Sequence, residues 1–235
     1  MQLNLSKISN LNSEFANRGE AIFAGSNSAL ISNIIFDFGG VICDIDVHRT
    51  EKKFFDLGLK NFDPDYGVST SKTLFDALET GAVSPQEFRD EIRKYFKHPP
   101  SDMQIDDAWN AMLRDIPEPR IRLLEKLRKH FRIFLLSNSN AIHYQHYLAN
   151  FQHQYGYPDF ESLFEKVYFS YRLGCKKPST EIFNHVLRDA GLNPNETLFI
   201  DDTLIHVEGA RNAGIHAHHL EIQKGEQIMD IFMPA

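Results

Sequence analysis

The stretch Ile34–Val41 limits the fold of this chain more than any other part of the sequence. Its apolar residues Ile34–Phe36 predict a strand that is buried on both faces, as in a parallel sheet covered by helices. Asp37 follows at the carboxyl end of this strand, which is where open α/β sheets bind ligands. The Gly39-Gly40 pair allows a sharp turn and a close approach of the backbone to a ligand. A strand-ending turn that Asp37 merely caps would show the same pattern, so later stretches decide between the two.

Strand and helix patterns alternate along the chain beyond residue 115. The strand patterns lie at Arg132–Leu136, Val167–Phe169, Thr197–Ile200 and Ile215–Leu220. The helical patterns lie at Pro119–Lys129, Ala141–Asn150, Ser179–Ala190, Ile205–Ala213 and about Lys224–Phe232. Strands that alternate with helices are joined by right-handed crossovers, and they predict an α/β fold with a doubly wound parallel sheet.

The residues between the first and second strands carry helical patterns only. These patterns lie at Val47–Leu57, Thr73–Thr80, Ser84–Phe96 and Asp102–Leu113. We therefore predict a helical subdomain over residues 47–114, inserted into a core made of residues 34–46 and 115–235. Residues 1–33 are rich in Asn and Ser and precede the first strand as a loosely held extension or a short helix.

The charge of the chain argues against several kinds of partner. The formal net charge of -7 disfavours nonspecific binding to nucleic acid or to anionic membranes. No apolar run reaches the roughly 18 residues that a membrane span requires. Residues 1–33 lack the pattern of a secretory signal, and the two cysteines, Cys43 and Cys175, suit a reducing compartment. We expect a cytoplasmic protein with neither nucleic acid nor membrane as partner, present as a monomer or a weak homodimer.

Polar residues occur at or just past the ends of four predicted strands. Asp37, Ser137-Asn138 and Asp201-Asp202 directly follow or end strands, and Lys177 lies in the loop after another. The carboxyl ends of parallel strands meet at one edge of a sheet, so we expect these side chains to converge. Each motif alone is weakly specific, but their joint order and position are much more so.

The acidic residues of this set suit phosphoryl transfer at a metal ion. Asp37 can attack phosphorus and form an aspartyl-phosphate. Asp37, Asp201 and Asp202 provide hard oxygen ligands for Mg²⁺, to which the backbone carbonyl of Gly39 can add one more. Mg²⁺ is therefore the predicted cofactor.

The remaining residues suit a phosphate group. Ser137 and the backbone N–H of Asn138 begin the next helix and can hold phosphoryl oxygens, and the turn at Gly40 brings backbone to the same place. Lys177 supplies a positive charge. Three carboxylates and a phosphate dianion sum to about -5, which Mg²⁺ and Lys177 together reduce to about -2. Without both cations the site would repel its own substrate.

These motifs resemble the four motifs of the haloacid dehalogenase (HAD) superfamily over about residues 34–220. The matching stretches are Asp37-Phe38-Gly39-Gly40-Val41, Ser137-Asn138, Lys177-Pro178, and Phe199-Ile200-Asp201-Asp202 with Gly209-Ala210. The resemblance implies a Rossmann-like core, Mg²⁺-dependent phosphoryl transfer and a four-helix cap that closes over the substrate. It casts Asp37 as nucleophile, Ser137 and Asn138 as phosphate contacts and Lys177 as charge balance. It also casts Asp202 as the principal metal ligand, with Asp201 beside it.

The sequence departs from the family pattern at Gly39. Most family phosphatases carry a second Asp there, which serves as general acid and base, and losing such a group costs about 10²–10⁴-fold in rate. Either the substrate has a good leaving group, or Asp44, Asp46 or His48 substitutes, or the enzyme is feeble. The motif is similar to that of a bacterial subgroup that includes a phosphatase acting on glucose 1-phosphate, which favours the first explanation.

A second departure is His206, which stands where the family usually has Asn. His206 either bonds Asp201 or the water shell of the metal, or faces solvent from its helix. The stretch His216-Ala217-His218-His219 is interpreted as strand residues that alternate or are exposed, rather than as a metal site. Dehalogenation, the founding activity of the superfamily, is disfavoured because the glycine pair and the paired carboxylates fit a metal site better.

We therefore predict a Mg²⁺-dependent phosphomonoesterase that acts on a small phosphorylated metabolite, most consistent with a sugar phosphate. Cap residues around Asp46, His48, Glu79-Thr80-Gly81 and Trp109 are expected to set selectivity. The rival hypothesis is a non-catalytic phospho-ligand sensor or interaction protein that kept the fold. It predicts ligand binding, or a stable phosphate on Asp37, without repeated turnover.

Overall fold

The computed structural model of the chain describes residues 31–59, 72–155, 157 and 159–232. Its strands are β1 (Asn33–Phe36), β2 (Arg132–Ser137), β3 (Lys166–Phe169), β4 (Thr197–Asp201) and β5 (His216–His219). They form one parallel sheet in the order β3-β2-β1-β4-β5. This order runs outward from β1 in both directions, which confirms the predicted doubly wound α/β sheet. The prediction for residues 1–33 falls almost entirely outside the described residues.

The central strand β1 is buried on both faces. Ile35 lies in register between Phe134 of β2 and Phe199 of β4. Ile34 and Phe36 pack into the apolar cluster on one face of the sheet, and Ile35 packs into the cluster on the other. Successive side chains of a strand point to opposite faces, so a strand covered on both sides must be apolar throughout. This explains the uninterrupted apolar run in the sequence.

Ten α-helices are present among the described residues. They are α1 (Val47–Leu57), α2 (Lys72–Glu79), α3 (Pro85–Arg93), α4 (Asp102–Trp109), α5 (Glu118–Leu127), α6 (Ala141–Tyr155), α7 (Ser170–Leu173), α8 (Thr180–Ala190), α9 (Leu204–Asn212) and α10 (Ile228–Phe232). Helices α5, α6 and α10 cover the face of the sheet that contains Phe36, and α8 and α9 cover the other. None of these helices is long and apolar enough to cross a membrane.

Helices α1–α4, here called the helical segment, surround an apolar cluster of their own. Phe54, Phe75, Phe88 and Trp109 are fully buried there, and Ile142 at the start of α6 joins them. Helix α3 begins at the capping box that the sequence shows, in which Ser84 and Glu87 satisfy each other's backbone N–H groups. A second capping box at Ser101 and Gln104, which we did not predict, begins α4.

The two connections between the helical segment and the sheet run side by side. Ile45 forms an antiparallel bridge with Leu113. The N–H of Asp46 donates to the carbonyl of Met112 at 2.8 Å, and the N–H of Arg114 donates to the carbonyl of Asp44 at 2.9 Å. We call this pair of segments the connecting ribbon. It attaches all four helices to the sheet next to Asp37.

Several helix ends differ from the predicted ones. Helix α6 continues past Asn150 to Tyr155, because Tyr147, Phe151 and Tyr155 recur every four residues on its core-facing side. Helix α3 ends at Arg93, and the chain continues to Phe96 in tighter turns with hydrogen bonds to the third residue back. These turns leave Phe96 buried against the other helices of the segment.

Candidate active site

The carboxyl ends of β1 and β4 place two acidic side chains next to each other. The N–H of Asp37 donates to the carbonyl of Ile200 at 2.9 Å, which continues the ladder one residue beyond β1. Carboxylate oxygens of Asp37, Asp201 and Asp202 lie within 4.8 Å of one another. No other group of three or more possible metal-ligating side chains lies this close within the described part of the chain.

Lys177 lies in the middle of this acidic group. Its Nζ atom donates to Asp37 Oδ1 and to Asp201 Oδ2, each at 2.6 Å, and its side chain is only 1% exposed. Burial alone would lower the pKa of Lys177, but the two carboxylates outweigh it and raise the pKa above its ordinary value. The lysine therefore brings a fixed positive charge to the site.

Asp201 is fully engaged by protein donors. Its Oδ1 accepts the N–H of Thr203 at 2.8 Å, its Oδ2 accepts from Lys177, and Nδ1 of His206 lies 3.2 Å from both oxygens. Burial would raise the pKa of Asp201, but Lys177 and then His206 hold it well below its usual range. Of the two alternatives for His206, the structure shows contact with Asp201. The role of Asp201 as a metal ligand stays a prediction.

The protein offsets the negative charges of Asp37 and Asp202 only in part. Burial raises the pKa of Asp37 to about 7, with Asp201 and Asp202 adding to the shift and Lys177 opposing it. Burial, followed by the charge of Asp201, raises the pKa of Asp202 to about 6. A divalent cation bound between these carboxylates would relieve both shifts. Hard carboxylate oxygens are the ligands that Mg²⁺ prefers, so the donor set fits this ion.

Gly40 leaves the space that the carboxylate of Asp202 occupies. A Cβ atom at residue 40 would stand 2.3 Å from Asp202 Oδ2, and the backbone there has a φ of +74°. Both observations require glycine at this position. The N–H of Gly40 donates to the carbonyl of Cys43 at 2.8 Å, so this N–H is not available to the phosphate contact that we predict at Gly40. The carbonyl of Gly39 stays a predicted metal ligand.

The predicted phosphate contacts lie at the end of β2. Ser137 is its last residue and is buried, and its Oγ lies 3.5 Å from the carbonyl of Asn138, a long contact that leaves the hydroxyl able to donate elsewhere. The side chain of Asn138 binds the backbone of Lys177. Its Nδ2 donates to the carbonyl of Lys177 at 3.0 Å, and its Oδ1 accepts the N–H of Lys177 at 2.9 Å. Asn138 thus fixes the backbone that carries the lysine.

Two of the three proposed substitutes for an acid at Gly39 are not placed to serve it. Asp44 is bound by Arg120 at 2.7 Å, and His48 is 86% exposed and contacts Glu51. The side chain next to Gly39 is Ile45, whose Cγ1 lies 3.1 Å from where a Cβ of residue 39 would stand. Asp46 is the residue after Ile45, and its role as the substitute acid stays a prediction.

Sequence reasoning missed His219, whose ring contacts the backbone of Asp202. Nε2 of His219, at the end of β5, lies 3.0 Å from the backbone carbonyl of Asp202. A carbonyl only accepts hydrogen bonds, so Nε2 must carry the proton. We interpreted this histidine as an alternating or exposed strand residue. Its position at a strand end, like those of Asp37 and Asp201, was the available signal.

Two residues expected to set selectivity have side chains that are held by contacts within the protein. Trp109 is 1% exposed within the helical segment, and its ring stacks on that of His143 from α6 at 4.8 Å between centroids. Glu79, at the end of α2, is bound by Lys176 at 2.8 Å. Neither side chain is open toward a substrate in this arrangement.

Comparison with known proteins finds one matching protein family and similar phosphatases. A family model described as haloacid dehalogenase-like hydrolase matches residues 31–214. A D-ribitol-5-phosphate phosphatase of Bacteroides thetaiotaomicron is 31% identical over 192 residues, which are 82% of this chain and 93% of the relative.

Solved structures agree with this result. A HAD family enzyme from Bacteroides thetaiotaomicron superimposes with a TM-score of 0.75 at 39% identity, over 80% of this chain and 93% of that one. The same enzyme has been crystallised with magnesium and with magnesium and inorganic phosphate. A HAD-like hydrolase from Porphyromonas gingivalis gives a TM-score of 0.74 at 32% identity, over 81% and 91% of the two chains.

Proposed function

The chain belongs to the haloacid dehalogenase-like hydrolases, and from this membership and the site geometry we propose that it is a magnesium-dependent phosphatase. Its substrate is a small phosphomonoester, a phosphorylated sugar or sugar alcohol, and the reaction passes through an aspartyl-phosphate on Asp37. The similarity to a D-ribitol-5-phosphate phosphatase supports the substrate class, and the magnesium complexes of a related enzyme support the cofactor.

The observation that carries the proposal is the grouping of three carboxylates around one buried ammonium at the end of the sheet. In a purely structural ion pair, one positive charge balances one negative charge. Here three carboxylates share one ammonium, and burial together with the neighbouring acids raises the pKa values of Asp37 and Asp202. Such perturbed groups in one place are typical of catalytic sites. A dianionic substrate can enter only after a cation has been added.

The two oxygens of Asp37 have different surroundings, which suggests their roles. Oδ1 is held by Lys177 at 2.6 Å, which orients the carboxylate. Oδ2 is then the atom that attacks phosphorus, the bond from phosphorus to the ester oxygen breaks as the new bond forms, and the departing oxygen takes a proton from solvent water. Water subsequently hydrolyses the acyl phosphate and restores Asp37. Lys177, kept in place by Asn138 and Asp201, offsets negative charge throughout.

Asp37 and Asp202 would hold the metal ion, with Gly39 as a further predicted ligand. When bound, Mg²⁺ supplies Lewis-acid polarisation of phosphoryl oxygens and offsets charge near the nucleophile. Ser137 and the N–H of Asn138 would hold the remaining phosphoryl oxygens at the edge of the sheet. Gly40 contributes by making room for the carboxylate of Asp202.

Turnover of phosphate esters tests the proposal directly. We would assay D-ribitol 5-phosphate, other phosphorylated sugars and an aryl phosphate, with Mg²⁺ and after chelation. Asp37→Asn should lower kcat at least about 10³-fold because the nucleophile is lost. The matched control is Asp44→Asn, which removes a carboxylate bound to Arg120 outside the acidic group and should change kcat less than about twofold.

Equal rates for the wild-type protein, the Asp37 variant and the chelated protein would exclude the proposed chemistry. A phosphate that stays attached to Asp37, detected by mass spectrometry without release of more than one equivalent, would instead favour the non-catalytic sensor.

A further inference from the structure

Two consecutive lysines in the loop after α7 contact different parts of the molecule. The ammonium group of Lys177 lies among the carboxylates of the site. That of Lys176 contacts Asp76 and Glu79 of α2, with Nζ 2.8 Å from Glu79 Oε2. One short loop therefore carries both the cation of the site and a contact to the helical segment.

The contact made by Lys176 is partly removed from water. The side chain of Glu79 is 7% exposed and that of Lys176 is 26% exposed. Burial alone would lower the pKa of Lys176, but Glu79 and Asp76 outweigh it and raise the pKa. Removing one partner of a buried ion pair leaves the other charge without compensation, so it costs more than removing both.

The backbones of the two parts also meet closely at this place. A Cβ atom at Gly81, just after α2, would stand 2.3 Å from the carbonyl oxygen of Tyr171 in α7. Gly81 has a φ of +68°, so glycine is required there for two reasons. The turn after α2 thus rests directly on the segment that leads to Lys176 and Lys177.

A second contact between helical segment and core lies nearer to the connecting ribbon. The rings of Trp109 and His143 stack at an angle of 17°, and Nδ1 of His143 lies 2.9 Å from Asn110 Oδ1. Both residues of the stack are buried. If the helical segment moved away from the core, this face of Trp109 would meet solvent.

We infer that Lys176 is a positioning residue that holds the helical segment closed against the loop carrying Lys177, through its ion pairs with Asp76 and Glu79. The inference rests on the proposed phosphatase function only for its catalytic consequence. The helices are attached through the connecting ribbon, whose Ile45 packs on Gly39 two residues after Asp37, so in the closed form they stand beside the acidic group. A substrate that contacts them then binds an enzyme already in its closed form. Without the ion pairs, part of the binding energy is used to close it.

The catalytic test compares Lys176→Met with Lys166→Met. Lys166 forms an ion pair with Asp189 within the core, and this pair does not touch the helical segment. We expect Lys176→Met to raise KM for a phosphorylated sugar about 10-fold with kcat changed less than about threefold, and Lys166→Met to leave both nearly unchanged. An aryl phosphate too small to reach the helices should show a rise in KM of less than about twofold with Lys176→Met.

The exchange of charges provides a rescue. The triple variant Lys176→Glu, Glu79→Lys and Asp76→Asn keeps an opposite pair at the same place without setting the new carboxylate against Asp76, and its KM should return to within about threefold of the wild-type value. A residue that acts only through general stability would reduce the fraction of active enzyme, and with it the apparent kcat, while KM stayed unchanged.

The second readout needs no substrate. Trp109 is the one tryptophan of the chain, so quenching of its fluorescence by acrylamide reports on the contact with His143. We expect the quenching constant to rise about threefold in Lys176→Met, to stay unchanged in Lys166→Met and to fall again in the charge exchange. Wild-type quenching and wild-type KM in Lys176→Met would overturn the inference. Because the fluorescence signal is independent of turnover, it tests closure even if no phosphate ester is hydrolysed.

Discussion

Ile45 lies against Gly39, with its Cγ1 3.1 Å from the position that a Cβ of residue 39 would take. The space next to residue 39 is thus bordered by an apolar side chain and not by an acid. Asp44 is bound to Arg120 and His48 is on the surface, so these two side chains do not supply the proton. Under the proposed function, the leaving oxygen departs without a proton from either of them.

We therefore expect turnover to fall steeply as the leaving group becomes more basic. Aryl phosphates should react at least about 10²-fold faster in kcat than alkyl phosphates, since a missing general acid costs that much or more. Rates across a series of substituted phenyl and alkyl phosphates measure this slope. Gly39→Asp combined with Ile45→Ala, which makes room for the new carboxylate, should flatten it. A flat slope in the wild-type protein would show that another acid serves the site.

Substitution of Gly40 should disturb the metal site specifically. Gly40→Ala places a methyl group 2.3 Å from Asp202 Oδ2 and must displace this carboxylate. Affinity for Mg²⁺, measured by titration calorimetry on the protein without substrate, should fall at least about 10-fold. Gly58→Ala is the control, because Gly58 also has positive φ but has no atom within 4 Å of its added Cβ. Similar affinities in the two variants would contradict the role of this contact.

Stability without Mg²⁺ should decrease as the pH rises. The pKa of Asp37 is raised by burial from 3.8 to about 7, so between these values the folded protein binds more protons than the unfolded chain. The contribution of Asp37 to the free energy of unfolding therefore falls through this window, and the raised pKa of Asp202 acts in the same direction. His143 opposes them up to about pH 6.5, because burial lowers its pKa from 6.5 to about 3, but the two carboxylates together outweigh this one group.

Addition of Mg²⁺ should reverse this trend, because the ion binds the ionised carboxylates. Thermal unfolding with and without saturating Mg²⁺ should show a larger rise of Tm at about pH 8 than at about pH 5. An equal rise at both values would mean that the ion does not bind Asp37 and Asp202.

A single hydroxyl group joins two parts of the helical segment. Thr50 Oγ1 donates to the carbonyl of Trp109 and accepts the N–H of Met112, each at 3.0 Å, and Thr50 is fully buried. Thr50→Val keeps the shape but leaves a buried N–H without its acceptor, which should cost about 1–3 kcal/mol in urea unfolding. Thr50→Ser retains the hydroxyl and should lose less. If the valine variant were as stable as the serine variant, these hydrogen bonds would not matter for the fold.

The sheet and the acidic group could be predicted because they depend on short, local signals. A buried parallel strand must be apolar, as Ile34–Phe36 are, and its carboxyl end lies at a known edge of the sheet. This was sufficient to expect Asp37, Asp201 and Asp202 close together. The ion pairs of Lys177 add the distances that the sequence could not provide.

The contacts between distant segments could not be predicted in the same way. Asn138 binds the backbone of Lys177, Ile45 packs on Gly39, and His219 supports Asp202 through its carbonyl. Each depends on how two loops meet in space, and no periodicity in the sequence records it. The role of Lys176 could not be predicted either. A charged residue next to a motif lysine indicates only a solvated loop, and its partners on α2 are known only from the structure.

The connecting ribbon joins the four helices to the sheet as a single hydrogen-bonded pair of segments. Because Asp46 and Met112 already face each other across it, residues 47–111 could be excised and the ends joined by a two-residue hairpin turn. The shortened chain would keep the residues of the acidic group and lose the helical segment. Under the proposed function, the helices that contact the substrate could then be exchanged without altering the acidic group, and a different set grafted onto the same hairpin could redirect the enzyme to another phosphate ester.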